Sequence, residues 1–252
     1  MKKLPRQRVD HAVVAQGLAP NIAQAAALIM AGKIMIGEQK ALKSGDLVAS
    51  DVSLRLLGGT PNPYVSRGGL KLAGALHDLR IDVKMLNCAD IGASTGGFTD
   101  CLLQHGAARV AAVDVGHGLL AEKLRRDARV LVLEKVNAKH LTAQSFPWPV
   151  DLIVMDVSFI GARNVLPMLV PLLQPDGQLL ILVKPQFELQ HNQVGKGGVV
   201  HDDDLRWLAV DHVRKAAEQL DLVWVAHAES QVHGPAGNRE IFVLLRQTPL
   251  LR

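Results

Sequence analysis

Apolar and polar positions change rhythm once along the chain. Residues 9–16 and 21–30 place apolar side chains at helical spacing, with Ala25, Leu28 and Ile29 on one face and Asn21 as an N-cap. The spacing predicts two short helices joined at Gly17, then short strands at 33–37 and 48–57. LGGTPNP at 57–63 packs Gly and Pro into a loop and marks a boundary. Beyond it, near-continuous apolar runs at 86–91, 110–114, 130–134, 151–156 and 178–184 alternate with helical stretches such as 98–105 and 119–126. Strands of that kind are buried on both faces, so the pattern predicts an α/β fold around a mostly parallel sheet. An amphipathic helix at 205–220 and strands at 222–226 and 241–246 finish the chain, as an antiparallel edge hairpin with a tight polar connection.

Composition narrows the class. Among 252 residues, 48% are hydrophobic and 21% charged, enough to bury a core. No apolar run approaches the roughly 18 residues of a membrane span. The basic start MKKLPRQR is followed by no apolar signal region, and the two cysteines, Cys88 and Cys101, are too few for a disulfide scaffold. These features predict a reduced, cytoplasmic protein. Charge is unevenly placed: residues 1–63 hold eight Lys+Arg and four acids, whereas the remaining 189 hold twenty of each. A small basic module on a neutral body is the expected footprint of nucleic-acid binding.

The candidate chemistry lies at strand ends. Asp90-Ile91-Gly92-Ala93-Ser94-Thr95-Gly96-Gly97-Phe98 follows the first apolar run and opens a helix. The glycines permit a sharp turn and close ligand approach, but their spacing is not that of a dinucleotide fingerprint, which disfavours a nicotinamide oxidoreductase. Asp90 suits an amino-acid ammonium, and Asp114, ending the next strand, suits ribose hydroxyls. An amino acid and a nucleoside without phosphate are the parts of S-adenosylmethionine. Asn137, past the third strand, is placed to meet adenine. Asp156 and Lys184 close two further strands and, in an open parallel sheet, share the crevice at their carboxyl ends. No zinc-like spacing of His and Cys occurs, and no metal is expected.

VSRGGLKL at 65–72, DIGASTGGFTD at 90–100, VMDVSFI at 154–160, LVKPQFE at 182–188, VGKGGVV at 194–200 and GNREIFVLLR at 237–246 resemble the TlyA family over essentially the whole chain. The resemblance implies a Rossmann-like class I methyltransferase with a seven-stranded, mostly parallel sheet. It implies an RNA-binding domain of the ribosomal-protein S-four type at 1–57, a linker at 58–63 and an FtsJ-like methyltransferase domain at 64–252. FtsJ-like ribose 2′-O-methyltransferases use a Lys-Asp-Lys-Glu set, and by motif Lys71, Asp156, Lys184 and Glu240 take those positions. The implied reaction is 2′-O-methylation of cytidine in large-subunit ribosomal RNA, in some members small-subunit RNA as well. The compact chain looks like members that act on the large subunit only.

In this scheme Lys184, flanked by a second cation and screened from water, serves as base or orients the hydroxyl, and Asp156 holds both lysines. The glycine turn, with Asp90, Gly92, Ala93, Ser94, Gly96, Gly97, Phe98, Asp114 and Asn137, forms the cofactor site. The small domain reads Asn21-Ile22-Ala23-Gln24-Ala25 where such domains commonly have Ser-Arg-x-x-Ala, and Gly37-Glu38 in place of Asn-Gly. RNA contact therefore leans on Arg6, Arg8, Lys33, Lys40 and Lys43. His117 stands where relatives often have Tyr and reads as structural or solvent-facing. Phe159 and Phe187 flank the site, able to stack on a base but expected in the core. The family also carries a haemolysin label. A pore-former needs a membrane segment that the sequence lacks, and a vestigial RNA-binding factor would not need all four of Lys71, Asp156, Lys184 and Glu240.

Overall fold

The computed structural model describes residues 6–16, 18–37, 39–49, 52, 54–57, 62–234 and 236–248. The chain divides into two compact units, Met1–Pro63 and Tyr64–Arg252. Of the expected linker, residues 58–61 lie outside the described residues, as do Gly17 and Glu38.

In the first unit, β1 (Arg6–Arg8) leads into α1 (Val9–Ala15), followed by α2 (Ile22–Met30), β2 (Ile34–Ile36), β3 (Gln39–Lys40), β4 (Leu47–Ala49) and β5 (Leu54–Leu56). Asn21 caps α2 as its sequence context predicts, its Oδ1 accepting from Gln24 N at 2.9 Å. Val9, Ala12, Val13, Ala25, Ile29 and Ile34 form a small buried core. The single strand expected over 48–57 is two: β4 pairs with β1, and β5 pairs with β2. Ile22, in the place of an arginine, is 45% exposed.

The second unit opens with α3 (Gly68–Asp78), which the strand-centred reading of the sequence did not include. Then come β6 (Asn87–Ile91), α4 (Gly97–Gln104), β7 (Arg109–Asp114), α5 (Glu122–Arg125), β8 (Val130–Glu134), β9 (Val150–Met155) and α6 (Ala162–Leu169). β10 (Leu173–Val183), α7 (Pro185–Glu188), α8 (Asp203–Glu218), β11 (Leu222–Glu229) and β12 (Ile241–Gln247) complete it. They build one seven-stranded sheet of order β11-β12-β10-β9-β6-β7-β8. Its centre is parallel, and only β12 runs antiparallel to its neighbours.

Period-two alternation divides the strands between two cores. Ala89, Ile153, Met155, Ile181 and Val183 face α6 and α8, whereas Cys88, Leu152, Val154, Leu180 and Leu182 face α3 and α4. Both faces are covered, which is why these runs read as continuously apolar. The final hairpin is present but its connection is not tight: residues 230–240 lie between the strands. The helix expected over 119–126 shrinks to the four residues of α5. The sheet reverses direction of growth between β6 and β9, the switch point where open α/β sheets bind ligands.

Candidate active site

Two adjoining cavities occupy that switch point. The smaller, about 280 Å³, is lined by Lys71, Asp90, Gly92, Asp156, Ser158 and Lys184 among others. The larger, about 480 Å³, is walled mainly by apolar side chains such as Ile91, Val113, Val157 and Met168, with Asp114 and Asn137. Gly92, Ser94, Asp156 and Ser158 line both.

The glycine turn makes the junction. Gly92 has φ +84, and a Cβ there would lie 2.5 Å from the Asp156 carbonyl oxygen, so the two strand ends touch only because this residue is Gly. Ala93, Ser94, Gly97 and Phe98 also line the smaller cavity. Gly96 does not line either cavity. Its φ is +93, and a Cβ would meet Leu124 at 2.3 Å, so it serves the turn and the packing of α5.

Asp90 points into the α3/α4 face of the sheet and is fully buried. Its Oδ2 accepts from Thr99 N at 2.9 Å and Thr99 Oγ1 at 2.7 Å. Oδ1 is buried without a hydrogen-bond partner. Burial pushes this carboxyl up to about 7, the Thr99 hydrogen bonds opposing and the carboxylates of Asp156 and Asp114 adding to the rise. An unpartnered buried carboxylate oxygen beside a cavity is what a ligand cation would satisfy. Asp114, at the end of β7, accepts from Ser94 N at 2.8 Å and Gly116 N at 2.7 Å, which fixes its carboxylate at the rim of the larger cavity. Asn137 accepts from Lys139 N at 3.1 Å and lines the same cavity.

The four residues singled out by motif form two ion pairs. Lys184 Nζ lies 2.6 Å from Asp156 Oδ1 and donates to Ser158 Oγ at 2.9 Å. Lys71, on the buried side of α3, pairs with Glu240, just ahead of β12. Asp156 therefore does not hold both lysines. Each lysine faces an acid of its own, Lys71 and Glu240 entering from α3 and from the residue just ahead of β12, and both lysines line the smaller cavity. Asp156 and Lys184 also stand one residue beyond their strands, in the loops.

Several lining residues escaped the sequence reading. Ser158, two residues after Asp156, lies within VMDVSFI, and its place in a strand-end loop is the signal that marks it. Arg67 and His233 line the smaller cavity and are exposed. Asp100 accepts from Val65 N at 2.8 Å and so hangs the segment leading to α3 on α4. Phe159 is not core: it is 93% exposed, with φ +68, and its ring lies 5.7 Å from that of Phe187. His117 is exposed, with Nδ1 3.1 Å from Glu134 Oε2.

In the first unit Lys33, Lys40 and Lys43 are exposed, as is Arg6. Arg8 is braced by buried Asp10 through two hydrogen bonds, of 3.0 and 2.6 Å.

Residues 64–247 match the model of the family described as FtsJ-like methyltransferase. Over 241 residues the chain is 47% identical to the 16S/23S rRNA (cytidine-2′-O)-methyltransferase TlyA of Mycobacterium tuberculosis, covering 96% of this chain and 90% of that protein. The chain belongs to the TlyA family of FtsJ-like methyltransferases. A 23S rRNA (cytidine-2′-O)-methyltransferase TlyA from Campylobacter jejuni is 35% identical over 180 residues, 71% of this chain and 69% of that one. A hemolysin-named structure from Streptococcus thermophilus shares the fold of this TlyA-family chain with a TM-score of 0.75 at 37% identity, covering 97% of this chain and 90% of that one. Among the described residues no helix is long and apolar enough to cross a membrane, and no cluster of His, Cys, Asp and Glu could hold a metal ion.

Proposed function

We propose that this protein transfers a methyl group from S-adenosylmethionine to the ribose 2′-hydroxyl of a cytidine in large-subunit ribosomal RNA, acting in the cytoplasm. The observation that carries the reading is the meeting of two lysine–acid pairs with the unpartnered Asp90 Oδ1 around one cavity.

S-adenosylmethionine supplies, when bound, a methyl group on a positively charged sulfur. Asp90 Oδ1 is the partner for its ammonium, Asp114 for its ribose hydroxyls, and the apolar cavity with Asn137 for its adenine. These residues fit the group part by part: a buried anion, a rim carboxylate and an apolar slot in sequence. Lys184 orients the attacking 2′-hydroxyl or, once it has given its own proton to solvent, receives the hydroxyl proton, and Asp156 stabilises the ammonium so formed. Ser158 fixes the direction of the Lys184 side chain. The Lys71–Glu240 pair closes the other side of the cavity and presents its lysine to the same hydroxyl. As the O–C bond forms and the S–C bond breaks in line, positioning supplies much of the rate. Exposed Phe159 offers a face on which a base can stack.

Residues 1–57 are read as an S-four-type RNA-binding domain that grips phosphates through Arg6, Lys33, Lys40 and Lys43, with Arg8 as a braced arginine. The test is ribose-methylation mapping of ribosomal RNA from cells lacking the protein, complemented with the parent or with Lys184→Arg. A cytidine methylated only with the parent is expected. An unchanged map in cells lacking the protein overturns the reading.

A further inference from the structure

The turn after Lys184 carries a buried acid with no part in the scheme above. Glu188 ends α7 and is 1% exposed. Its Oε1 accepts from the N–H of Ala162, the first residue of α6. Oε2 is buried without a hydrogen-bond partner, and Arg163 Nε lies 3.7 Å away. Burial raises the pKa of this carboxyl, against the Ala162 hydrogen bond and the Arg163 charge. A carboxyl group so placed is costly to bury, and an apolar side chain would fill the space at lower cost.

What Glu188 reaches is the far end of the loop 156–161. Three other contacts join the same two segments. They are the Lys184–Asp156 pair at 2.6 Å, the Lys184–Ser158 hydrogen bond at 2.9 Å and the Phe159–Phe187 ring contact at 5.7 Å. There is no slack at the end of the loop. A Cβ on Gly161 would lie 2.8 Å from Glu188 Oε2 and 2.9 Å from the Phe187 carbonyl oxygen. Between the two anchored ends, residues 157–160 form a wall of the larger cavity.

We propose that Glu188 is a positioning residue: by holding the Ala162 N–H it fixes the loop 156–161 against the Lys184 turn, and so sets both the Asp156–Lys184 geometry and the wall of the cofactor cavity. This deepens the methyl-transfer reading and rests on it. An acid at the first turn of α6 is favoured by the helix dipole, so one side chain can tie this loop end.

Two variants approach the contact from opposite sides. Glu188→Met keeps the length and removes both the charge and the acceptor of the Ala162 N–H. Gly161→Ala leaves the charge and drives the segments apart. Each should weaken S-adenosylmethionine binding in calorimetry by roughly threefold to tenfold, the worth of one hydrogen bond. Single-turnover methyl transfer should fall about tenfold to a hundredfold, as a displacement near 1 Å allows. Hydrogen exchange should quicken in the peptide spanning 157–163 and not elsewhere, and the double variant should lose little beyond the worse single one. Variants with a lower Tm but parental cofactor affinity and transfer rate would make Glu188 a stability residue only and overturn the proposal, as would fully additive losses. If Glu188→Met does not fold, Gly161→Ala carries the test. Should the parent bind the cofactor and methylate no RNA, the functional reading fails, while cofactor affinity and exchange in the variants still decide the role of Glu188.

Discussion

At the small end of the cleft both lysines are already matched by acids that are buried or half-buried, whereas the large end is walled mainly by apolar side chains and meets charge at its rim. The contrast separates two tasks. Charges fixed in place before substrate arrives need no rearrangement during reaction, which is how a site stabilises a developing charge. An apolar slot with one carboxylate and one amide recognises by shape and leaves chemistry alone. Changes at the two ends should therefore fall on different measured quantities.

The largest effect belongs to the polar end. Lys184→Arg preserves the charge but cannot act as a base, so transfer should fall roughly a hundredfold or more with cofactor affinity near parental. Single-turnover transfer of labelled methyl reads this directly, and an arginine variant as fast as the parent would leave Lys184 an electrostatic role at most. At the rim of the apolar end the pattern should invert. Asp114→Ala removes hydrogen bonds to a charged acceptor worth about 1.5–3 kcal/mol each, so cofactor affinity should drop at least tenfold. Parental affinity in calorimetry would remove Asp114 from the site.

Asp90 sharpens the contrast through pH. Its pKa is raised to about 7, so in the free protein the carboxyl is largely protonated in mildly acidic solution. A ligand ammonium requires the carboxylate, and affinity should fall as pH drops below about 7, approaching tenfold per unit. Stability of the free protein runs the other way. The unfolded chain loses this proton near 4, so stability declines as pH rises from about 4 to 7 and levels off beyond. Asp90→Asn should flatten both curves, and a cofactor affinity that stays pH-dependent in that variant would point to another group. The smallest effect lies outside the cleft. Lys40→Glu with Lys43→Glu should reduce the slope of log K for RNA against log salt by roughly 0.7–0.9 per lost contact, with cofactor binding unchanged. Equal binding at several salt concentrations would show that these lysines touch no phosphate.

The parallel core was legible because buried strands are apolar without a break: β8 falls on the expected residues and β6, β7 and β9 within a residue of them. α3 was not, because Ser66-Arg67-Gly68-Gly69 reads as a loop and the helix is held by tertiary packing of Leu72, Ala75 and Leu76. Strand-end chemistry was legible as a set of residues, since Asp90, Asp114, Asp156 and Lys184 all reach the cleft. Their pairing was not, because which acid meets which lysine depends on how β12 enters the sheet. Phe159 misled for a local reason: an aromatic beside an apolar strand suggests core, but its left-handed backbone turns it out to solvent. Gly96 could not be told from the cavity-lining glycines by sequence, and it packs against Leu120 and Leu124.

The Lys71–Glu240 pair joins residues 169 positions apart, and β12 slots between two strands already translated. At roughly 5–20 residues per second, a ribosome making this chain exposes Lys71 about 8–34 s before its acid exists. Late in that interval, once β10 is made, the cleft has its glycine turn, Asp90 and Asp114 in hand, but a lysine without a counter-charge and a sheet open at β10. Cofactor recognition can thus mature during synthesis, whereas the reactive end is assembled last.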